Sequence, residues 1–156
     1  MTSDLPTIAD NLLSITVDYG GAPVRLYGPD ETPDSVPEAM LPARILLYGA
    51  GRAAGSPFGF IAIGTMADVE WTLIDLLLIG PVSQGRGLLD VARATLQYMS
   101  DYAEAMRAFR QPGGTGSQSV LTQIAIEPGV YAYPLGSSNS YHGVLCTHTI
   151  REVLSG

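Results

Sequence analysis

Lysine is absent from this chain, and charged residues of any kind are scarce. All eight basic residues are arginine, fifteen residues are acidic, and the formal net charge is −7. A chain of this sign is repelled by a phosphate backbone, so tight non-specific binding to nucleic acid is not expected. Charged residues make up 15% of the sequence and apolar residues 46%. Because an apolar, thinly charged surface tends to be covered by partners, this composition favours a subunit of an assembly.

Cysteine and long apolar runs are also in short supply. The single Cys146 excludes an internal disulfide, and its alternating apolar neighbours predict a small core residue in a reducing compartment. No run of 18 apolar residues occurs, and the first residues do not form a basic segment followed by an apolar one. We therefore expect a soluble protein that is cytoplasmic where it is made. Residues 1–156 have the usual size of a single domain.

Hydrophobic periodicity predicts a long strand followed by one long amphipathic helix. Residues 68–79 are typical of a strand, and residues 88–109 of a helix. Apolar residues in the helix recur at intervals of three and four, which predicts that this stripe packs on a sheet. The members of the predicted stripe are Leu89, Ala92, Leu96, Met99, Ala103 and Met106, and the residues that widen it are Val91, Tyr98, Tyr102 and Phe109.

The remaining segments predict more strands for the same sheet. A short helix is expected to begin after an N-cap at Asp4 or Ser3, with Pro6 in its first turn. Residues 41–48 are too apolar for a short solvent-facing helix, so we expect a strand that is covered on both faces. Strands are also expected at 24–27, 60–63, 120–126 and 141–154, and loops at about 29–41 and 111–119. The predicted fold class is α+β: a mixed, mainly antiparallel sheet with one long amphipathic helix packed on it and a short N-terminal helix.

Two glycine-rich motifs are candidates for anion or nucleotide binding. Residues 45–55 place Gly-x-Gly-x-x-x-Gly after a strand, as in a dinucleotide site. Such a site needs a helix that opens on the last glycine, whereas residues 56–63 continue as loop and strand, so nucleotide binding is not expected. Gly85, Arg86 and Gly87 precede the long helix and could hold an anion, although glycine is common at a helix start where nothing binds.

Titratable residues do not form a pattern that predicts catalysis or metal binding. His142 and His148 lie six residues apart on one strand, which puts them on one face but about 20 Å apart, too far to share a metal ion. Asp68 and Glu70 are expected on one face of the long strand and Asp75 on the other, so no general acid and base pair is implied. We therefore predict no enzyme activity, no metal ion and no cofactor.

The order of the segments resembles the small tail-completion proteins of long-tailed bacteriophages. The resemblance is carried by Leu-Pro-Ala-Arg-Ile-Leu-Leu-Tyr-Gly-Ala-Gly at 41–51, by the strand ending in Trp-Thr-Leu-Ile-Asp-Leu-Leu-Leu-Ile at 71–79, by the amphipathic helix, and by Tyr-His-Gly-Val-Leu-Cys-Thr-His-Thr-Ile-Arg-Glu-Val at 141–153. It covers nearly the whole chain. The glycine-rich loop at 111–119 and the proline-rich loop before residue 41 depart from the family's pattern.

The resemblance implies a ring-forming subunit, usually a hexamer, that terminates the tail tube and joins it to the head connector. The implied partners are further copies of the chain, the tail tube protein and a head-completion or connector protein. DNA would pass through the ring without tight binding, and no membrane is involved. The implied location is the neck of the virion, after assembly in the host cytoplasm. Members of the family are not enzymes.

Two sets of residues are candidates for these roles. The candidate assembly contacts are Arg86, Gln111, Gly113, Gly114, Tyr131 and Tyr133, and the candidate lumen acids are Asp68 and Glu70. The two tyrosines alternate near a turn, which fits either a subunit contact or a ligand groove. An alternative function is a small ligand-binding or enzymatic α+β domain, with a pocket between sheet and helix near Trp71 and Tyr98. An acidic cytosolic adaptor is a third class that the sequence leaves open.

Overall fold

Two helices and six strands make up the computed structural model, which describes residues 4–48, 58–63, 66–82, 88–113, 118–134 and 136–155. The helices are α1 (Leu5–Ser14) and α2 (Leu88–Ala108), and the strands are β1 (Arg25–Tyr27), β2 (Ala43–Tyr48), β3 (Phe58–Ile63), β4 (Met66–Pro81), β5 (Ser119–Ala132) and β6 (Ser140–Ser155). Short 3-10 helices lie at Pro29–Glu31 and Glu38–Met40. The predicted α+β fold class is confirmed; β4 extends two residues beyond the predicted strand at each end, and α2 ends one residue before the predicted end.

The six strands form one mixed sheet in the order β1-β2-β4-β6-β5, and β3 also pairs with β4. Only the β1–β2 pair is parallel. Tyr48 of β2 pairs with Leu73, and Phe58 of β3 pairs with Trp71, so β2 and β3 follow one another along the same side of β4. The sheet is therefore mainly antiparallel, as predicted.

One face of the sheet is covered by both helices. Ile8 and Leu12 of α1 and Tyr98 and Tyr102 of α2 are fully buried in the main hydrophobic core. The strand residues of this core are Leu46, Leu73, Leu77, Val144, Cys146 and Ile150. Cys146 is a buried free cysteine, which confirms its predicted place in the core.

The stripe by which α2 packs on the sheet differs from the predicted one. Leu96 is 65% exposed and Ala103 is exposed, whereas Tyr98 and Tyr102 are buried. The buried side of the helix is turned by about one residue, or about 100°, from the predicted stripe. Of the predicted members, only Met106 is fully buried among those whose side chains the structure describes. The prediction that Leu96 is a core residue is wrong.

The start of α1 is held by a carboxylate from the far end of the chain. Asp4 is the N-cap residue and a proline follows in the first turn, as predicted, but the Asp4 side chain makes no capping hydrogen bond. Glu152 Oε1 accepts a hydrogen bond from the Asp4 backbone N–H at 2.5 Å, and its Oε2 accepts one from Trp71 Nε1 at 2.7 Å. Glu152 thus joins β6, β4 and α1, and it supplies negative charge at a helix N-terminus.

The opposite face of the sheet has a smaller core beneath the predicted loop 29–41. Val36 is buried there with Tyr133 and Tyr141. Tyr133 Oη donates a hydrogen bond to Pro33 O at 2.6 Å, and Tyr141 Oη donates one to Val36 O at 3.2 Å. These two hydrogen bonds fasten the loop to the sheet within a single chain.

Candidate functional site

A buried ion pair lies between the sheet and the helices. Arg44 of β2 donates through Nε to Asp75 Oδ2 of β4 at 2.6 Å, and both side chains are 1% exposed. The Asp75 and Arg44 side chains lie on the helix-covered face, where Leu46 and Leu73 are their apolar neighbours along the strands. A buried charge of either sign is costly unless it is paired and hydrogen-bonded. The pairing therefore explains how each strand carries one charge inside an apolar run.

The Arg44 guanidinium also binds the end of α1. Its Nη2 donates to Leu12 O at 2.9 Å, and its Nη1 donates to Ile15 O. These carbonyls belong to the last turn of α1 and the residue after it, where helical partners for carbonyl groups run out. Neutralisation by Asp75 raises the pKa of Arg44 even though burial alone would lower it. Arg44 therefore fixes α1 on the sheet as a permanent cation.

Tyr102 and His148 extend the ion pair to α2 and β6. Tyr102 Oη donates to Asp75 Oδ2 at 2.5 Å and lies 3.0 Å from His148 Nε2, while His148 Nδ1 lies 3.3 Å from Leu73 O. Burial raises the pKa of the Tyr102 hydroxyl, and the nearby Asp75 charge adds to the effect. Burial lowers the pKa of His148, so the imidazole is neutral at pH 7. We call Arg44, Asp75, Tyr102 and His148 the polar cluster. The cluster links strands β2, β4 and β6 with helices α1 and α2.

The polar cluster has the residue types of a catalytic site but not the access. Arg44 and Asp75 are 1% exposed, and Tyr102 and His148 are completely buried. Burial also raises the pKa of the neighbouring Cys146 thiol, which keeps it protonated and unreactive. A substrate could not reach these groups without opening the core. The chemical role of the cluster is to provide hydrogen bonds to a buried charge pair. Among the atoms of the cluster, Asp75 Oδ1 is the one that has no hydrogen-bond partner in the described residues.

Two surface cavities lie at the end of the sheet near Pro81. The smaller has a volume of about 150 Å³, and its lining includes Glu38 and His142. The larger has a volume of about 640 Å³ and no charged lining residue. Its walls come from Ser35, Val36, Pro37, Pro81, Val82, Ser138, Asn139, Ser140 and Tyr141. The smaller cavity is below the usual size of a small-molecule site, while the larger is within it but offers few groups that could fix a ligand.

The predicted assembly contacts after α2 lie at the base of a loop whose ends are tied down. Gln111 is exposed and Gly113 is half-buried. Gly113 N–H donates to Ser119 Oγ at 2.8 Å, and Asn11 Nδ2 of α1 donates to Pro112 O at 2.8 Å. Both ends of the predicted loop 111–119 therefore have fixed positions next to α1. Gly114 and Arg86 lie outside the described residues, as do the glycines at 49–55.

The two candidate tyrosines differ in their surroundings. Tyr133 is 3% exposed and packs under its own loop, so it is an internal anchor rather than the subunit contact that we predicted. Tyr131 is half-buried, and its Oη donates to Glu127 O at 2.6 Å at an exposed position. Its ring covers Gly143, where a Cβ would come within 3.3 Å of the ring and 2.3 Å of Leu77 O. Tyr131 remains accessible to a partner.

Of the two candidate lumen acids, the structure describes the side chain of Glu70, which lies on the strand face that points away from the helices. Glu70 is exposed there and pairs across the sheet with Arg151 of β6. Asp68 pairs through its backbone with Val153, and its side chain is outside the described part of the structure. Asp75 faces the helices, so the predicted separation of the acids between two faces is confirmed for Glu70 and Asp75.

The polar cluster was missed at the sequence level, although a signal for it exists. Arg44 is the one charged residue in the apolar run 41–48, and Asp75 is the one charged residue in the run 71–79. Both runs are strands that a helix or loop covers, and buried charges need partners of opposite sign. Two lone opposite charges in two buried strands therefore indicate an ion pair.

No protein-family model matches the chain, and no curated protein matches it either. Within the described ranges, no group of three or more His, Cys, Asp or Glu side chains could hold a metal ion. None of the helices in those ranges is long and apolar enough to cross a membrane.

Proposed function

We propose that this chain is a structural subunit of a ring at the head–tail neck of a long-tailed bacteriophage. The ring terminates the tail tube, joins it to the head connector and lets DNA pass. The proposal starts from the resemblance in segment order, and one structural observation carries it further. The long helix α2 presents a second apolar stripe to solvent, in which Leu96 is 65% exposed.

The exposed stripe has the make-up of a contact surface. Ala103 is exposed beside Leu96, and Ala92 and Met99 are half-buried on the same side of the helix. Alanines around a protruding leucine allow a partner's backbone to approach closely, and burial of a leucine side chain contributes about 1.5–3 kcal/mol. A stripe of this kind on a long helix is expected of a subunit that packs against neighbours.

The interior of the chain supports a structural role over an enzymatic one. The alternative function needs a pocket near Trp71 and Tyr98, but Tyr98 is 1% exposed and its ring packs against Tyr19 and Tyr102. Trp71 is fastened to Glu152. The space expected for a pocket is therefore filled by side chains, and the titratable residues of the polar cluster are sealed in the core.

The charge of the chain suits a channel for DNA. With a net charge of −7 per subunit, a ring repels the phosphate backbone rather than gripping it. We place the face of Glu70 and Asp68 toward the lumen, because the helices cover the other face. Arg151, the cross-strand partner of Glu70, offsets part of that charge, so the repulsion is mild at this position.

Virion imaging and a charge substitution test this function. Leu96→Glu introduces a charge into the exposed stripe, while the control Gln97→Glu adds the same charge next to it, at another exposed position. We expect Leu96→Glu to leave the isolated subunit folded and to abolish ring formation and the joining of tails to heads. The control should assemble. Electron microscopy that finds no density for this chain on the head–tail axis would overturn the proposal.

A second candidate function rests on the cavity of about 150 Å³ that Glu38 and His142 line. A carboxylate and an imidazole at one cavity could hold a small cation or a polar group of a ligand. A ligand-dependent rise in melting temperature of a monomeric chain, lost in His142→Ala, would favour this function over the ring.

A further inference from the structure

In the part of the chain that the structure describes, the sheet ends in two edges with free backbone groups. Among these residues β5 pairs only with β6, and its other side is the outer edge of the sheet along most of 14 residues. At the opposite edge, β1 covers part of β2, while none of the described residues pairs with the outer side of β3. An unpaired edge presents a row of backbone donors and acceptors that another strand can bind.

The backbone direction along β5 identifies the free donors. Leu121 N–H points away from β6, because it donates to Arg110 O. A bulge inserts one extra residue between Leu121 and Gln123. After it, successive N–H groups again point alternately toward β6 and away from it. The N–H groups that this alternation turns outward belong to Ile124, Ile126, Val130 and Ala132. Pro128 falls in the same outward series, which is where an edge strand accommodates proline.

Neither edge carries the charges that usually prevent strand addition. β5 contains one charged residue, Glu127, and β3 has the sequence Phe-Gly-Phe-Ile-Ala-Ile. Edge strands of monomeric proteins are commonly guarded by lysine or by inward-pointing charges, and this chain has no lysine. The bulge and Pro128 interrupt β5, so the free stretch between them, 123–127, is short and defined.

We propose that β5 of one copy adds in antiparallel fashion to β3 of the next copy, which makes the sheet continuous around the ring. This inference rests on the proposed ring function. β3 is antiparallel to β4, and β5 is parallel to β4 because two antiparallel pairs connect them through β6. Copies related by rotation about an axis along the strands therefore meet with β5 and β3 in opposite directions. The occupant of each edge is a second copy of this chain.

The register follows from the tilt of strands in closed sheets. Within one copy, β3 is level with the start of β5, since Phe60 pairs with Val69, Val69 with Glu152, and Glu152 with Ser119. In a closed sheet tilted by about 36°, neighbouring strands shift by about one residue each. From β3 to the β3 of the next copy there are four strand-to-strand steps, through β4, β6 and β5, so the next copy is displaced by about four residues. A shift of this size toward the end of β5, together with the one-residue bulge, brings β3 opposite the free stretch around residue 124.

Residue-resolved amide hydrogen exchange tests the inference on the full chain, with monomer and assembly compared at different concentrations. We expect the outward amides of Ile124 and Ile126 to gain at least tenfold protection on assembly, together with amides of 58–63. The inward amides of Ala125 and Glu127 serve as the internal control, because β6 already protects them. Assembly without added protection at Ile124 and Ile126 would overturn the edge contact while leaving a ring in place.

Two further outcomes contradict the inference in different ways. Protection of β5 without protection of 58–63 would indicate a two-fold β5–β5 contact, and a chain that stays monomeric would exclude self-addition. The neck function is tested separately, by the presence or absence of axial density for the chain in virions. Ile126→Pro deletes an outward donor, and the matched control Ile126→Ala loses the side chain alone. We expect only the proline variant to raise the concentration needed for assembly, by tenfold or more; equal behaviour would contradict the edge contact.

Discussion

The two sides of α2 differ in a way that hydrophobicity alone does not predict. The side toward the sheet carries Tyr98 and Tyr102, two residues with polar groups, and the side toward solvent carries Leu96 and Ala103. Judged by hydrophobicity alone, the leucine and alanine would be buried and the tyrosines exposed. The reason is the ion pair beneath the helix, because a tyrosine offers both apolar ring area and a hydroxyl that can bind Asp75. Buried charge in the sheet thus selected which side of the helix is buried.

The largest expected effect comes from breaking the ion pair on the buried side. Asp75→Ala leaves the Arg44 guanidinium buried without its counter-charge, which should lower the free energy of unfolding by about 3–5 kcal/mol. Glu70→Ala removes an exposed carboxylate from the same strand and should cost less than about 0.5 kcal/mol. Urea unfolding of the isolated subunit measures both. Equal stability of the two variants would show that the pair does not hold the core.

A smaller loss is expected from the hydroxyl that joins α2 to the cluster. Tyr102→Phe keeps the packed ring but removes the hydrogen bond to Asp75, whose other oxygen already lacks a partner. The free energy of unfolding should fall by about 1–3 kcal/mol. Tyr131→Phe deletes a hydroxyl with an exposed bond to Glu127 and serves as the control with the smaller effect. The prediction fails if both variants unfold at the same urea concentration.

His148 should make the buried side sensitive to acid. Its pKa is lowered in the folded chain from the ordinary value of 6.5, mainly by burial, although Asp75 acts in the opposite direction. The unfolded chain therefore binds a proton first as the pH falls. Stability is fully present above pH 6.5 and declines below it, toward the lowered pKa of the folded state. His148→Gln should flatten this decline between about pH 6.5 and pH 5, before most carboxylates titrate. An unchanged slope in urea unfolding across that range would contradict the assignment.

The smallest effect on folding is expected on the exposed side of α2. Leu96→Ala should change the stability of the isolated subunit by less than about 0.5 kcal/mol, because the side chain is 65% exposed. Met106→Ala truncates a buried side chain of the same helix and should lower the free energy of unfolding by about 2–5 kcal/mol. Thermal melting ranks the two variants. A large loss of stability in Leu96→Ala would show that Leu96 is a core residue, as the sequence predicted.

The elements of this fold could be predicted because they depend on local patterns. β4, α2 and β6 lie within two or three residues of their predicted bounds, since period-two and period-3.6 patterns reflect backbone geometry. The exact face of α2 could not be predicted in the same way. Tyr98 and Tyr102 flank the apolar stripe in the sequence, and their burial depends on Arg44 and Asp75, which lie far away in the chain.

The candidate contacts show the same division. Tyr131 and Tyr133 look alike in the sequence, but only Tyr133 reaches Pro33, about a hundred residues earlier, and becomes an anchor. Gln111 and Gly113 were predicted in a loop, and the loop is there, but its attachment to Asn11 required α1 to lie alongside. Contacts of this kind depend on which distant segments the sheet brings together.

The sequence by itself determined the fold class, the long strand, the long helix and the acidic net charge. Hydrophobic periodicity reflects local backbone geometry, and net charge is a sum over residues, so neither depends on which distant segments meet. Tertiary structure alone decided the partners of the buried charges, the buried side of α2 and the free edges of the sheet. These features depend on strand order, and the order β1-β2-β4-β6-β5 is fixed by packing between segments that are distant in the chain.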